Sequence, residues 1–148
     1  MKNIILLFAL TTFTICNSQI LEPVKWTTSV KKISETEAIL IATATIDSKW
    51  HLYSQTVPED GPIATRFSYE GNGNYLKKGN TKEDEGHVID DPIFNMTIKY
   101  FATKASFEQR IKLKTQKAFT VNASVEFMVC DDSRCLPPTE VDLKFHIK

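Results

Sequence analysis

The chain has 148 residues, 42% of them hydrophobic and 10% aromatic, and its 18 basic side chains balance its 18 acidic ones. This length suits one domain with a single filled core, and the near-neutral charge argues against nucleic acid as a partner. With 5 glycines and 6 prolines, the composition does not indicate disorder or low complexity.

The start of the chain, residues 1–18, has the pattern of an export signal. Lys2 is followed by the apolar run Ile4 to Leu10 and then by small and polar residues. Cleavage after Ser18 would place small side chains, Cys16 and Ser18, at the two positions that a signal peptidase reads. We therefore predict an exported, periplasmic protein.

The mature domain is predicted to be residues 19–148, without a membrane span, because the apolar run is shorter than the about 20 residues that a spanning helix needs. Attachment of a lipid at Cys16 is disfavoured because Ile15, rather than a small residue, precedes it. Loss of Lys2 leaves 17 basic against 18 acidic side chains, a formal charge of −1.

Periodicity of two predicts strands along the first half of the mature chain. Polar and apolar residues alternate from Val24 to Val30 and again from Ile63 to Tyr69. Residues 38–46 are small, β-branched and apolar on both parities, which is typical of a strand buried on both sides. Residues 77–91 are charged and are predicted to form a loop.

The second half continues this pattern, with predicted strands from Met96 to Tyr100 and from Phe107 to Leu113. The clearest strand is 118–130, where every second residue from Phe119 to Val129 is apolar, and 141–147 repeats the alternation. About seven to nine short strands without helices predict an all-β, antiparallel two-sheet sandwich.

The mature chain keeps only two cysteines, Cys130 and Cys135, in a compartment where a disulfide can persist. Cys130 lies on the polar parity of its strand, so we expect its sulfur to point outward and to be reachable. Pro137 and Pro138 restrict the chain just after Cys135.

These residues alone leave two interpretations open. A structural bridge is the usual role of a disulfide in an exported domain, although closing a loop of about six residues contributes only ~2 kcal/mol. Redox exchange is the other. A zinc site is disfavoured because His51, His87 and His146 are scattered, and the spacing is not the C-x-x-C of a thioredoxin-like helix.

The charges beside the two cysteines differ in a way that affects reactivity. Asp131 and Asp132 follow Cys130 and disfavour its thiolate, whereas Arg134 precedes Cys135 and favours one. Cys135 is therefore the predicted exchanging sulfur.

Two segments carry a family resemblance: Val129 to Glu140, which contains both cysteines and the double proline, and Trp50 to Ser54. Together they resemble the amino-terminal periplasmic domain of the DsbD family of thiol:disulfide interchange proteins, over roughly residues 22–147. The resemblance implies an immunoglobulin-like β-sandwich that passes reducing equivalents from a thioredoxin-like domain to disulfide isomerases and cytochrome c maturation proteins.

The resemblance also implies roles for single residues. Cys135 would form the mixed disulfide with partners and Cys130 would resolve it. A short cap loop shields the pair in the family, and the segment similar in position is 90–95, with Phe94 as the shielding ring. The remaining residues implied at the cap and the site lining are Asp90, Asp91, Ile93 and Tyr53.

Two features depart from the family pattern. Four residues separate Cys130 from Cys135, where family members often have five, so the turn geometry and reactivity are expected to differ. The family proteins continue into a membrane domain and a thioredoxin-like domain, whereas this sequence ends at Lys148. We therefore expect either that the electron donor is another polypeptide or that the role of the domain has changed.

Three hypotheses follow from the sequence. The first is a monomeric thiol:disulfide carrier that needs no metal or organic cofactor and exchanges with thioredoxin-like proteins, periplasmic disulfide isomerases or cytochrome c maturation proteins. The second is a binding or assembly module whose disulfide only stiffens a loop. The third is a substrate-binding sandwich that uses the aromatic side chains of Trp50, Tyr53 and Phe94.

Overall fold

The computed structural model describes residues 21–148, so the predicted signal of residues 1–18 and its Cys16 lie outside the described residues. From Leu21 onward the chain contains strands and no helix, and the prediction of an all-β antiparallel sandwich is confirmed. The described residues form eleven strands rather than seven to nine: β1 Val24–Ser34, β2 Glu37–Ile46, β3 His51–Tyr53, β4 Arg66–Tyr69, β5 Tyr75–Glu83, β6 His87–Asp91, β7 Met96–Phe101, β8 Lys104–Leu113, β9 Phe119–Phe127, β10 Val129–Cys130 and β11 Thr139–Ile147.

Sheet 1 has the strand order β1-β2-β8-β5, and β2 shows how its faces differ. The even-numbered residues of β2, from Ala38 to Ile46, are buried, while Ile39 and Ile41 are only partly buried. The prediction of burial on both sides was thus only half correct. The outer face is open because the cross-strand neighbours of Ile39 are the exposed side chains of Lys31 and Arg110.

Sheet 3, with the order β11-β9-β4, packs against sheet 1 and closes the main core. Trp26 of β1 joins the two sheets, because its ring lies 5.7 Å from that of Phe107 in β8 and 5.5 Å from that of Phe127 in β9. Alternating residues of β9 and β11, including Val125 and Phe145, complete this core, as their period of two predicts.

Sheet 2, with the order β10-β3-β7-β6, positions the candidate site, and each of its faces carries apolar side chains that belong to a core cluster. One face contributes Leu52, Phe101 and Val129 to the main core. The other face carries a second, smaller apolar cluster around Tyr53 and Cys130.

The prediction of a loop over residues 77–91 was wrong, because β5 and β6 occupy most of this segment. Both are edge strands, β5 of sheet 1 and β6 of sheet 2. An edge strand exposes much of its surface and commonly carries charged side chains, so the apolar alternation that marks a strand is missing from the sequence. The strand predicted over 63–69 is also shorter than expected, since β4 begins only at Arg66.

Candidate functional site

The two cysteines are joined by a disulfide across a tight turn at the end of β10. Their Cα atoms lie 3.9 Å apart, and the two residues form an antiparallel bridge. Inside the turn the N–H of Asp131 donates to the carbonyl of Arg134 at 2.9 Å, and outside it the N–H of Leu136 donates to the carbonyl of Val129 at 2.9 Å. The four intervening residues therefore close a short hairpin that holds the sulfurs together.

Asp131 organises this hairpin through its side chain. Its Oδ1 accepts hydrogen bonds from the N–H groups of Ser133 and Arg134, at 2.9 and 2.8 Å, and from the hydroxyl of Ser133 at 2.8 Å. The N–H of Ser133 is the leading cause that holds the pKa of the Asp131 carboxyl below its usual value. All of these hydrogen bonds lie within the turn, so the Asp131 carboxylate stabilises the hairpin.

The charged residues around the pair are partly matched to one another. The Nε atom of Arg134 lies 3.6 Å from Oδ2 of Asp131, so its charge faces a carboxylate. Asp132 is exposed. Their predicted influence on the two thiolates stays a prediction.

The expectation that Cys130 is reachable was wrong, because only 1% of its surface is exposed. The predicted long strand is interrupted at Met128, and Cys130 belongs to the short strand β10 of sheet 2. Its side chain does lie on the face opposite Val129, away from the main core, but the smaller apolar cluster covers that face. Cys135 is partly buried and keeps some contact with solvent.

The turn between β6 and β7 packs against this face through Phe94, and Asp91 holds its shape. Buried Asp91 accepts hydrogen bonds at Oδ1 from the N–H groups of Ile93 and Phe94, at 2.8 and 3.1 Å. At Oδ2 it accepts a hydrogen bond from the hydroxyl of Tyr53 at 3.1 Å. Asn95 closes the turn by donating its N–H to the carbonyl of Asp91 at 2.8 Å.

Phe94 is the residue of this turn that packs into the cysteine cluster. Its ring meets that of Tyr53 edge to face, with the centroids 5.9 Å apart. Ile93 is 40% exposed, and Asp90 is exposed and accepts a hydrogen bond from the hydroxyl of Thr97 at 2.6 Å. The predicted cap segment therefore has an inner side, Phe94 and Asp91, and an outer side, Ile93 and Asp90.

Tyr53 connects the cap to the disulfide. The ring is fully buried in the cluster that contains Cys130. Burial, reinforced by the negative charge of Asp91 and the hydrogen bond to it, raises the pKa of the Tyr53 hydroxyl far above its usual value. Tyr53 therefore remains a neutral hydrogen-bond donor that fixes the Asp91 turn.

The structure adds residues to the site that the sequence prediction missed. Ile98, Tyr100, Met96, Met128 and Val57 all pack in the cluster around the cysteines. The alternation of β7 predicted that Met96, Ile98 and Tyr100 share a face, but nothing local indicated which face adjoins the cysteines.

The predicted aromatic set of the substrate-binding hypothesis is divided between the two clusters. Tyr53 and Phe94 meet in the cysteine cluster, whereas Trp50 is buried in the main core. Within residues 21–148 the structure contains no group of three His, Cys, Asp or Glu side chains arranged to hold a metal ion.

The fold and this geometry define the class of protein: a β-sandwich domain with a cysteine pair held in a hairpin under an aromatic cap. A comparison with protein families narrows the class, because the family described as "Thiol:disulfide interchange protein DsbD, N-terminal" matches residues 18–146. The chain belongs to this family of thiol:disulfide interchange domains. The family resemblance inferred from the cysteine segment is thereby confirmed.

Several solved structures share this fold. The DsbD N-terminal domain of Neisseria meningitidis in its reduced form is similar with a TM-score of 0.52 and 9% identity, over 79% of this chain and 82% of that one. The N-terminal periplasmic domain of ScsB from Proteus mirabilis is similar with a TM-score of 0.57 and 14% identity, over 82% of this chain and 44% of that one.

A third similar structure is a complex between the DsbD N-terminal and PilB N-terminal domains of Neisseria meningitidis, with a TM-score of 0.52 and 8% identity, over 80% of each chain. At these identities the likeness shows the immunoglobulin-like fold. No curated protein sequence matches this chain. Between Leu21 and Lys148 no helix is long and apolar enough to cross a membrane.

Proposed function

We propose that residues 19–148 form an exported, periplasmic domain that carries reducing equivalents between a thioredoxin-like donor and disulfide-bearing proteins, with residues 1–18 as its signal. Cys135 is the exchanging sulfur and Cys130 the resolving one. Disulfide isomerases and cytochrome c maturation proteins are the proposed acceptors. The domain works as a monomer and uses no metal or organic cofactor.

The observation that carries this proposal is the unequal burial of the two sulfurs beneath a separate cover. Cys130 is 1% exposed while Cys135 keeps contact with solvent. Phe94, on the turn between β6 and β7, packs in the cluster that contains both cysteines, together with Met96, Met128 and other apolar side chains. A partner that displaces this ring would reach Cys135 first, which is the order that a two-cysteine exchange requires.

The chemistry proceeds by two exchanges of sulfur. The thiolate of reduced Cys135 attacks a disulfide of the partner, so that one partner sulfur leaves as a thiolate and a mixed disulfide forms. The thiolate of Cys130 then attacks Sγ of Cys135, which releases the second partner sulfur and closes the Cys130–Cys135 disulfide. The partner gains two electrons and the pair loses two; a dithiol donor reverses both steps.

The shape of the site indicates recognition through a docking surface. Ile93, an apolar side chain on the cap, is 40% exposed and available to a partner. The DsbD domain solved in complex with the PilB N-terminal domain supports a partner that is itself a folded domain.

Covalent trapping tests the assignment of the two cysteines. A Cys130→Ser variant lacks the resolving sulfur, so Cys135 should accumulate mixed disulfides with periplasmic proteins, which non-reducing electrophoresis and mass spectrometry would identify. The matched control is Cys135→Ser, which should collect few or none because its remaining sulfur is buried. An empty Cys130→Ser trap, or equal trapping by both variants, would contradict the proposal.

A redox titration separates the carrier from a module with a purely structural bridge. A carrier should equilibrate with thioredoxin-like proteins at a potential well above about −300 mV, below which inert structural disulfides commonly lie. A pair that remains oxidised against such partners would establish the structural alternative.

A further inference from the structure

His51 stands directly beside the cysteine pair. In the pairing of β10 with β3, Cys130 is opposite His51, and on its other side Cys130 is opposite Cys135. Residues directly opposite in an antiparallel pair have their side chains on the same face, with Cβ atoms about 5 Å apart. His51, Cys130 and Cys135 therefore form one row across three neighbouring segments, with the resolving sulfur in the middle.

The neighbours of His51 hold its imidazole at this face. Its ring is partly buried and lies 4.2 Å from the ring of Tyr100 on β7. Tyr100 is also in contact with His87 on β6, at 5.6 Å between ring centroids. The titratable groups facing His51 are thus Cys130 from β10, Tyr100 from β7 and, beyond Tyr100, His87 from β6, with Tyr53 on its own strand.

Resolution of a mixed disulfide needs a base, because only the thiolate of Cys130 is a nucleophile and burial in apolar surroundings opposes its formation. Three other polar groups near the pair, Asp91, Asp131 and Tyr53, are engaged in hydrogen bonds, and Asp132 is exposed to solvent. Asp91 accepts hydrogen bonds from the cap and from Tyr53. Asp131 is bound to the hairpin turn, which lowers its pKa and weakens it as a base. Neutral Tyr53 does not serve as a base, because its hydroxyl acts as a donor in the hydrogen bond to Asp91.

We propose that His51 is the proton acceptor for Cys130 in the resolving step. This inference rests on the proposed exchange function and assigns a catalytic residue to it. Histidine suits the task because imidazole is the side chain that most readily exchanges a proton between pH 5 and 8.

The step balances as follows. The thiol proton of Cys130 moves to a ring nitrogen of His51, which becomes imidazolium. The Cys130 thiolate attacks Sγ of Cys135, the Cys130–Cys135 bond forms, and the bond between Cys135 and the partner sulfur breaks. The partner sulfur leaves with the electron pair, and the imidazolium then returns its proton to that thiolate or to water.

The disulfide reagent 5,5′-dithiobis(2-nitrobenzoate) tests the role of His51, because each exchange releases one coloured thionitrobenzoate. Mixed with the reduced domain in a stopped-flow instrument, it should give a first release as Cys135 attacks and a second as Cys130 resolves. His51→Gln should slow the second release about tenfold near pH 6.5 and leave the first unchanged. The difference should narrow as the pH is raised further, because a growing fraction of the Cys130 thiol then ionises without a neighbouring base.

The matched control is His87→Gln, which removes the other histidine beside Tyr100 and should leave both releases at the wild-type rates. A second release in His51→Gln equal to wild type at all pH values, or slowed by one constant factor, would overturn the role of His51. Two other results would contradict the exchange function itself. One is a first release that persists in Cys135→Ser, and the other is a wild-type domain that shows no second release. Circular dichroism of each variant checks that it folds.

Discussion

Asp91 is the residue on which the cap depends. It is buried, 5% exposed, and one carboxylate binds both the backbone of the turn that carries Phe94 and the hydroxyl of Tyr53. Hydrogen bonds to a charged acceptor are about twice as strong as neutral ones. These hydrogen bonds fix the backbone of the cap. The Phe94 ring itself packs through apolar contacts, which a partner can replace.

Replacement of Phe94 tests whether this ring shields the disulfide. We expect Phe94→Ala to speed reduction of the pair by dithiothreitol about tenfold. This factor corresponds to roughly 1.4 kcal/mol, the size of one aromatic pair contact. Ile93→Ala is the matched control, since it shortens an apolar side chain on the exposed side of the same turn. Equal rates in wild type and Phe94→Ala would show that the ring does not limit access.

At the scale of elements, Glu83 connects sheet 1 to sheet 2. It lies on β5 and accepts hydrogen bonds from the hydroxyl of Ser54 at 2.5 Å and from the N–H of Gln55 at 2.8 Å, just after β3. Its carboxylate also lies 3.0 Å from the ammonium of Lys99 on β7. One carboxylate thus ties the edge of sheet 1 to the two central strands of the sheet that carries the cysteines.

The pKa of Glu83 reflects the balance of these contacts. Burial by itself raises the pKa, but the hydrogen bonds from Gln55 and Ser54 and the charge of Lys99 outweigh it and hold the pKa below its usual value. A pKa depressed in the folded state adds stability above the unfolded-state pKa, which is about 4.3 for glutamate. That stability is lost as the pH falls through the folded-state pKa.

Acid unfolding should therefore depend on Glu83. Between pH 6 and pH 3 we expect the free energy of unfolding of the wild type to fall about 1 kcal/mol further than that of Glu83→Gln, whose amide does not titrate. Urea denaturation at the two pH values measures both. Glu108→Gln, an exposed change on the neighbouring strand β8, is the control and should follow the wild type. Parallel loss in Glu83→Gln and wild type would refute the coupling.

For the whole molecule, the disulfide and the main core are separate features. Trp26, Phe107 and Phe127 pack in the main core between sheets 1 and 3, whereas the cysteines belong to the smaller cluster on the far side of sheet 2. The loop that the disulfide closes is short, with a sequence separation of 5. A carrier that alternates between two redox states needs this separation, because its fold must survive reduction.

Reduction should consequently cost little stability. We expect the free energy of unfolding of the reduced domain to be about 2 kcal/mol lower than that of the oxidised domain, with a single cooperative transition in both states. Phe107→Ala, which empties a central position of the main core, should cost more, about 3–5 kcal/mol. Urea titrations with and without dithiothreitol give both values. Unfolding on reduction would indicate a structural bridge.

The amino-acid sequence by itself determined the strands whose two faces differ. A period of two in β1, β8, β9 and β11 records that one face meets a core and the other meets solvent, so these strands and the all-β class were predictable. Two short segments, Val129 to Glu140 with its double proline and Trp50 to Ser54, were likewise sufficient for the family, because the resemblance that they carry is local in the sequence. Edge strands β5 and β6 were not predictable, since their exposed faces leave no alternation.

Only the tertiary structure decided which surfaces are covered. Strand parity placed the Cys130 sulfur on the side away from the main core, but the turn that covers that side comes from β6 and β7, more than thirty residues earlier. The position of His51 beside Cys130 likewise depends on the pairing of β3 with β10. Periodicity describes a residue relative to its own strand, whereas burial depends on what the rest of the chain brings against it.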